Sequence, residues 1–194
     1  MTGLNGVDVS SNNPPGVING KPGFIIAKAT EGTTFTDPLY NNYAAYAFNN
    51  GIQFGAYHFF HAENLSARAE ADHFMTIAKP RSLLSLWLDY ETYGLSGSAD
   101  AEEIGFFIDE VKVHFPQAKV GIYCNTVGYN RISPFLAEIP FNGLWYANPS
   151  TGMTEQGTNG IDWQIHQYAT VNGIDQDYWA WDLSKIVQYY TWES

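Results

Sequence analysis

Leu84-Ser85-Leu86-Trp87-Leu88-Asp89-Tyr90-Glu91 decides the reading of the fold. In a β-strand successive side chains point to opposite faces, so Leu84, Leu86, Leu88 and Tyr90 share one face. Ser85, Trp87, Asp89 and Glu91 share the other. The apolar face suits a covering helix layer, while the second face carries a large aromatic and then two acids as the strand ends. Barrel enzymes keep their functional groups at such C-terminal strand ends. Asp89 and Glu91 would lie about 6–7 Å apart at Cα, where mutual repulsion and partial burial raise the pKa of one of them. A pair divided in this way supplies an acid and a base at one pH. An Asp-x-Glu taken alone more often just ends a strand in solvent. Its place at the end of a strongly apolar strand is what gives it weight here.

Further strand-length apolar runs are Gly6-Ser10, Phe24-Thr30, Gln53-Phe60 and Lys119-Asn125, followed by Gly143-Asn148, Ile161-Tyr168 and Ile174-Trp179. Stretches with helical spacing separate the early strands: Asp37-Asn50, Ser66-Ala78 and Ala99-Phe115. In the last of these Ile104, Phe107, Ile108 and Val111 form an apolar stripe. The prolines and glycines between Ser11 and Gly23 oppose a regular helix, so a loop or short turn is expected there. Strands alternating with helices favour a parallel sheet with right-handed crossovers, and about eight strands allow it to close. The expected fold class is therefore α/β, a single TIM-like barrel whose last strands lack regular helices. No repeat or linker-like tract stands out, so one barrel domain over residues 1–194 is expected, with no separate second domain.

Composition narrows the function. The net charge of −11 argues against nucleic acid, whose binding rests on basic side chains. No uncharged apolar run approaches the roughly 18 residues of a membrane helix. Met-Thr-Gly-Leu-Asn-Gly has neither a basic start nor an apolar core, so no secretory signal is expected within this chain. A lone Cys124 allows no internal disulfide and reads as a small buried side chain. The histidines, His58, His61, His73, His114 and His166, lack a zinc spacing, and no metal or organic cofactor is expected. Serine-elbow, P-loop and dinucleotide signatures are absent as well. Carboxylate chemistry remains. Asp8, in Gly6-Val7-Asp8-Val9-Ser10, faces away from Val7 and Val9 and can enter the same lumen; the alternative is a turn-forming aspartate ahead of Ser10-Ser11-Asn12-Asn13.

Several segments recur in a recognisable order: Gly-Val-Asp-Val-Ser at 6–10, Ile-Ile-Ala-Lys-Ala-Thr-Glu-Gly at 25–32, Gly-Ala-Tyr-His-Phe at 55–59, and Leu-Asp-Tyr-Glu at 88–91. Gly-Ile-Tyr-Cys-Asn at 121–125, Leu-Trp-Tyr-Ala-Asn at 144–148 and His-Gln-Tyr at 166–168 follow. Together they resemble glycoside hydrolase family 25, the Chalaropsis-type lysozymes, over nearly the whole chain. The resemblance implies a (β/α)5(β)3 barrel that cleaves the β-1,4 bond between N-acetylmuramic acid and N-acetylglucosamine in bacterial peptidoglycan. By position it makes Glu91 the general acid and Asp89 its partner, which either stabilises positive charge at the anomeric centre or orients the substrate's own N-acetyl group. It places Asp8 in the site for electrostatic support or substrate positioning. A further aspartate of a Val-Asp-x-Asn pattern corresponds to Asp175, with Asp177 in place of the asparagine; Asp182 is the competing alignment. Tyr57, Tyr123 and Trp145 either contact the glycan or belong to the core.

Two departures from the pattern stand out. No aromatic follows Asp-Val-Ser, and Trp-Gln-Tyr becomes His166-Gln167-Tyr168. A monomer acting on glycan strands is expected, either a phage lysin or a secreted enzyme without its leader. The alternatives are a glycan-binding barrel without catalysis and a glycosidase of another N-acetylhexosamine polymer such as chitin.

Overall fold

In the computed structural model, residues 3–13, 16, 18, 20–78, 85–149 and 161–179 are described. Among them nine strands form one sheet: β1 (Leu4–Val9), β2 (Phe24–Glu31), β3 (Phe35–Thr36), β4 (Gln53–Phe60), β5 (Leu86–Tyr90), β6 (Val120–Asn125), β7 (Gly143–Ala147), β8 (Ile165–Val171) and β9 (Ile174–Trp179). The order is β1-β9-β8-β7-β6-β5-β4-β2-β3, and β1 also pairs with β2, so eight strands close into a barrel with β3 as an extra edge. Neighbouring barrel strands are parallel except at β9, which runs antiparallel to both β1 and β8.

Four α-helices are described: α1 (Tyr40–Asn50), α2 (Ala67–Ile77), α3 (Gly97–His114) and α4 (Thr126–Ile132). They follow the second to fifth barrel strands. The described residues between β1 and β2 form no helix, as their prolines and glycines require. The expected closed α/β barrel is present, and among the described residues no α-helix follows its last three strands. Leu84 lies outside the described residues, as does Asp182. No described helix is long and apolar enough to cross a membrane.

Helix ends follow local chemistry. Ser96 Oγ accepts from the Ala99 N–H at 3.2 Å to start α3, with Asp100 in its first turn and Lys112 and His114 in its last. Gly51 ends α1 in the left-handed region at φ 61° and satisfies its last carbonyls. Asn125 Oδ1 accepts from Val127 and Gly128 at 2.9 and 3.0 Å, which turns the chain from β6 directly into α4.

The sheet buries both faces. Outside, Val7, Ile25, Leu86, Leu88, Tyr90, Ile122 and Cys124 pack with Tyr43, Phe74 and the stripe Ile104, Phe107, Ile108 and Val111. Burial holds the Cys124 thiol well above its usual range. Inside, Phe24, Ile26, Trp87, Trp145, Ile165 and Trp179 fill the lumen, with Trp87 edge-on to Trp145 at 5.6 Å and to Trp179 at 6.4 Å. Rings of this size fit because the facing positions are glycine. A Cβ on Gly121 would lie 2.2 Å from the Trp87 ring, and one on Gly6 2.4 Å from Phe24.

One buried polar knot ties β4 to α2. Thr30 Oγ1 and His58 Nδ1 are 2.7 Å apart, and His58 Nε2 lies 2.9 Å from Glu70 Oε2. The same oxygen accepts from the His61 N–H at 3.1 Å, and Glu70 Oε1 accepts from Ser66 Oγ at 2.7 Å. Burial holds the His58 pKa down, so its neutral ring donates to Glu70 through Nε2 and accepts from Thr30 at Nδ1.

Candidate active site

The inward row of β5 is Ser85, Trp87, Asp89 and Glu91, as alternation requires: Trp87 lies in the lumen core, while Asp89 and Glu91 open into a cleft of about 340 Å³. Asp8 and Ser10 from β1 and its following loop line the same cleft, with Lys28 (β2), Tyr57 and Phe59 (β4), Tyr123 (β6), Trp145 (β7), Gln167 (β8) and Asp175 (β9). Phe59, Asp89, Tyr123 and Trp145 sit at one level because adjacent parallel strands pair them in turn. Asp8 and Asp175 are direct cross-strand partners. Every expected site residue with described coordinates is therefore brought together. Asp177, the neighbouring acid on the inner face of β9, is fully buried below Asp175.

Hydrogen bonds hold these groups in place. Gln167 Nε2 donates to Asp8 Oδ2 at 2.9 Å, and Tyr123 Oη donates to Gln167 Oε1 at 3.0 Å. Trp145 Nε1 donates to Asp177 Oδ1 at 2.9 Å, and Thr170 Oγ1 donates to Asp175 Oδ1 at 2.5 Å. Asn125 Nδ2 stands 3.5 Å from Glu91 Oε1. Lys28 pairs with Glu31 and lies 4.7 Å from the centroid of the Phe59 ring. The aromatics are both core and cleft floor: Tyr57 and Tyr123 meet the Trp145 ring edge-on at 6.4 and 4.7 Å.

Burial raises the pKa of Asp89 well above the carboxylate range, and repulsion from Glu91 and Asp8 adds to it. Glu91 is raised as well, by burial first; the Asn125 hydrogen bond opposes that rise and Asp175 reinforces it. Asp8 is raised by burial and then by Asp175. Glu91 is partly exposed while Asp89 is buried, so the two acids of one strand end meet different surroundings. Such a cleft can deliver a proton from one carboxyl group and stabilise positive charge with its neighbours. Away from it, Asp72, Glu110 and His114 on α2 and α3 bring one ligand atom each within 4.8 Å of one another. His114 is already paired with Asp72 at 2.6 Å, and Arg68 with Glu110 at 2.7 Å.

The model of glycosyl hydrolases family 25 matches residues 7–177. The chain belongs to that family. An N,O-diacetylmuramidase of Arthroderma benhamiae is 34% identical over 135 residues, covering 62% of this chain and 55% of that protein. The match to Lysozyme M1 of Streptomyces globisporus is 39% identical over 77 residues and covers 38% of this chain and 26% of that protein. The matches thus span 55% and 26% of the lengths of these two curated relatives. A muramidase structure from Trichobolus zukalii superposes with a TM-score of 0.77 at 28% identity, covering 94% of this chain and 96% of that one. A lysozyme structure from Streptomyces coelicolor gives 0.77 at 25%, with 96% of each chain covered.

In this family 25 chain the sequence reading passed over Lys28, Gln167 and Asn125. Lys28 carried a signal, a single cation directly after the apolar run Phe24-Ile25-Ile26-Ala27 and before Ala29. Strict alternation would set Lys28 and Glu31 on opposite faces. A bulge between Lys28 and Thr30 shifts the register, and the two side chains meet. Gln167 lies in the motif whose first residue departs from the pattern, and His166 faces outward, 5.0 Å from the Trp163 ring centroid, so that departure leaves the cleft untouched.

The raised acids make stability depend on pH in an uncommon direction. Asp89, and the neighbouring Asp8 and Asp177 between them, hold protons in the folded chain at pH values where an unfolded aspartate, with a pKa near 3.9, has lost them. The folded state then binds more protons than the unfolded one, and stability falls as pH rises from about 4 through the folded values. Melting temperatures measured across that window are expected to be higher at mildly acid than at mildly alkaline pH. A flat profile would mean that the cluster is ionised throughout.

Proposed function

We propose that this chain is an N-acetylmuramidase that hydrolyses the β-1,4 bond between N-acetylmuramic acid and N-acetylglucosamine in bacterial peptidoglycan. The observation that carries it is the meeting of Asp8, Asp89, Glu91 and Asp175 from three strands over an aromatic floor at one end of the barrel. Family membership and the names of the relatives, muramidases and lysozymes, support the same substrate.

In this reading Glu91 is the general acid. Burial raises its pKa, which favours the protonated form that a general acid needs, and its partial exposure lets it reach the glycosidic oxygen. Asp89 and Asp8 face the ring on which oxocarbenium-like charge builds, and that charge favours their ionised forms, offsetting the cost of burying them. Tyr57, Tyr123 and Trp145 form the aromatic floor beneath the sugars, and Asp175 closes the hairpin side of the cleft.

The test is digestion of purified peptidoglycan, borohydride reduction of the products and mass spectrometry of the new ends. Reduced muramic acid supports the reading. Reduced glucosamine ends, peptide cleavage or no product sinks it. Turnover confined to chitin would point to another N-acetylhexosamine polymer, and glycan binding without new ends to a barrel that only binds.

A further inference from the structure

Among the described residues Asp177 has no partner for one of its two oxygens. On β9 the inner-face positions run Asp175, Asp177 and Trp179, from the cleft down to the lumen core. Asp177 is wholly buried; its Oδ1 accepts from Trp145 Nε1, and its Oδ2 meets no hydrogen-bond donor among the described residues. Its cross-strand neighbours are Gln167 on β8 and Gly6 on β1. Gln167 is engaged with other groups, since its Oε1 takes the Tyr123 hydroxyl and its amide nitrogen donates to Asp8. Gly6 has no side chain, which leaves Asp177 beside Asp8, within hydrogen-bonding reach. Among the described residues, the charged and titratable groups facing this pair are Asp175 from β9, Asp89 and Glu91 at the end of β5, Tyr57 from β4 and Tyr123 from β6. The cation lining the cleft, Lys28, is paired with Glu31.

Two carboxylates in contact without a cation cannot both ionise, and a single hydrogen between them satisfies both. The deeper group is the better place for it. Asp8 already has a donor in Gln167 and opens to the cleft, whereas Asp177 is sealed.

We propose that Asp177 is a positioning residue that works as a neutral carboxylic acid, donating its one hydrogen to Asp8 so that Asp8 meets the substrate as a single, fixed negative charge. Burial and the nearness of Asp8 hold the Asp177 pKa well above the carboxylate range, which agrees with that state. The duty given to Asp8 rests on the muramidase reading; the location of the proton does not.

Asp177→Asn tests it, because an amide keeps the acceptor for Trp145 and donates to Asp8 at every pH. Thermal midpoints of wild type, Asp177→Asn and Asp177→Ala are compared from about pH 5 to about pH 8. The wild-type midpoint is expected to fall across this range, and the asparagine variant to fall distinctly less and lie above wild type at the upper end. The alanine variant lies below wild type throughout. On peptidoglycan, Asp177→Asn is expected to exceed Asp177→Ala by about tenfold or more in turnover number, with KM little changed between them. A wild-type pH slope retained in Asp177→Asn, or an asparagine variant as damaged as alanine, overturns the proposal. Should wild type give no new reducing ends, the muramidase reading fails while the melting series still decides where the proton sits.

Discussion

Glu91→Gln is expected to lower the release of muramic acid reducing ends by about 10²–10⁴-fold, the usual contribution of a general acid. The amide has the shape of the acid and keeps an oxygen for Asn125 Nδ2, but has no proton of suitable acidity to give. It also removes the charge that contributes most, after burial, to raising the Asp89 pKa. The fold should therefore become slightly more stable near neutral pH as the chemistry is lost. Opposite movement of activity and stability separates loss of a catalytic proton from simple damage, and both can be read on one preparation by reducing-end assay and thermal melting. A variant that keeps more than about a tenth of its turnover would remove Glu91 from the acid's role.

Glu70→Ala is expected to cost about 3–5 kcal/mol of folding free energy, measured by urea unfolding with the slope of the transition unchanged. Both oxygens of this fully buried carboxylate are in use, by Ser66, His58 and the His61 backbone. Truncation leaves a buried imidazole N–H and a backbone N–H without acceptors, beside a void under α2. The effect reaches the cleft because His58 lies between Tyr57 and Phe59 on β4, and both of those line it. A loss below about 1 kcal/mol would mean that water or a shifted side chain replaces the carboxylate.

Much of the barrel was legible because alternation and burial record the same fact. Leu86, Leu88 and Tyr90 lie under helices, and Trp87 and Asp89 face the lumen, as the pattern in that strand requires. The direction of β9 was not legible, since a strand has the same side-chain period whichever way it runs. Its reversal follows from a tight turn at Asn172 and Gly173, both with positive φ, which returns the chain beside β8. α4 was missed because it has only seven residues with a glycine inside, and its start depends on an Asn125 side chain that also closes a strand. β3 spans two residues and carries no periodicity. In the cleft, acids at strand ends could be recognised by residue type. Lys28 and Glu31 could not be paired, since a bulge is a local break in the alternation that the pairing would rest on.

The seclusion of Cys124 has a practical consequence. Its sulfur is the chain's sole thiol, fully buried and held in its unreactive protonated form. A cysteine introduced at Val113, a widely exposed position on α3 that does not line the cleft, would be the one site open to a maleimide. The folded chain can thus be tethered or dye-labelled at a chosen point with its native cysteine left in place.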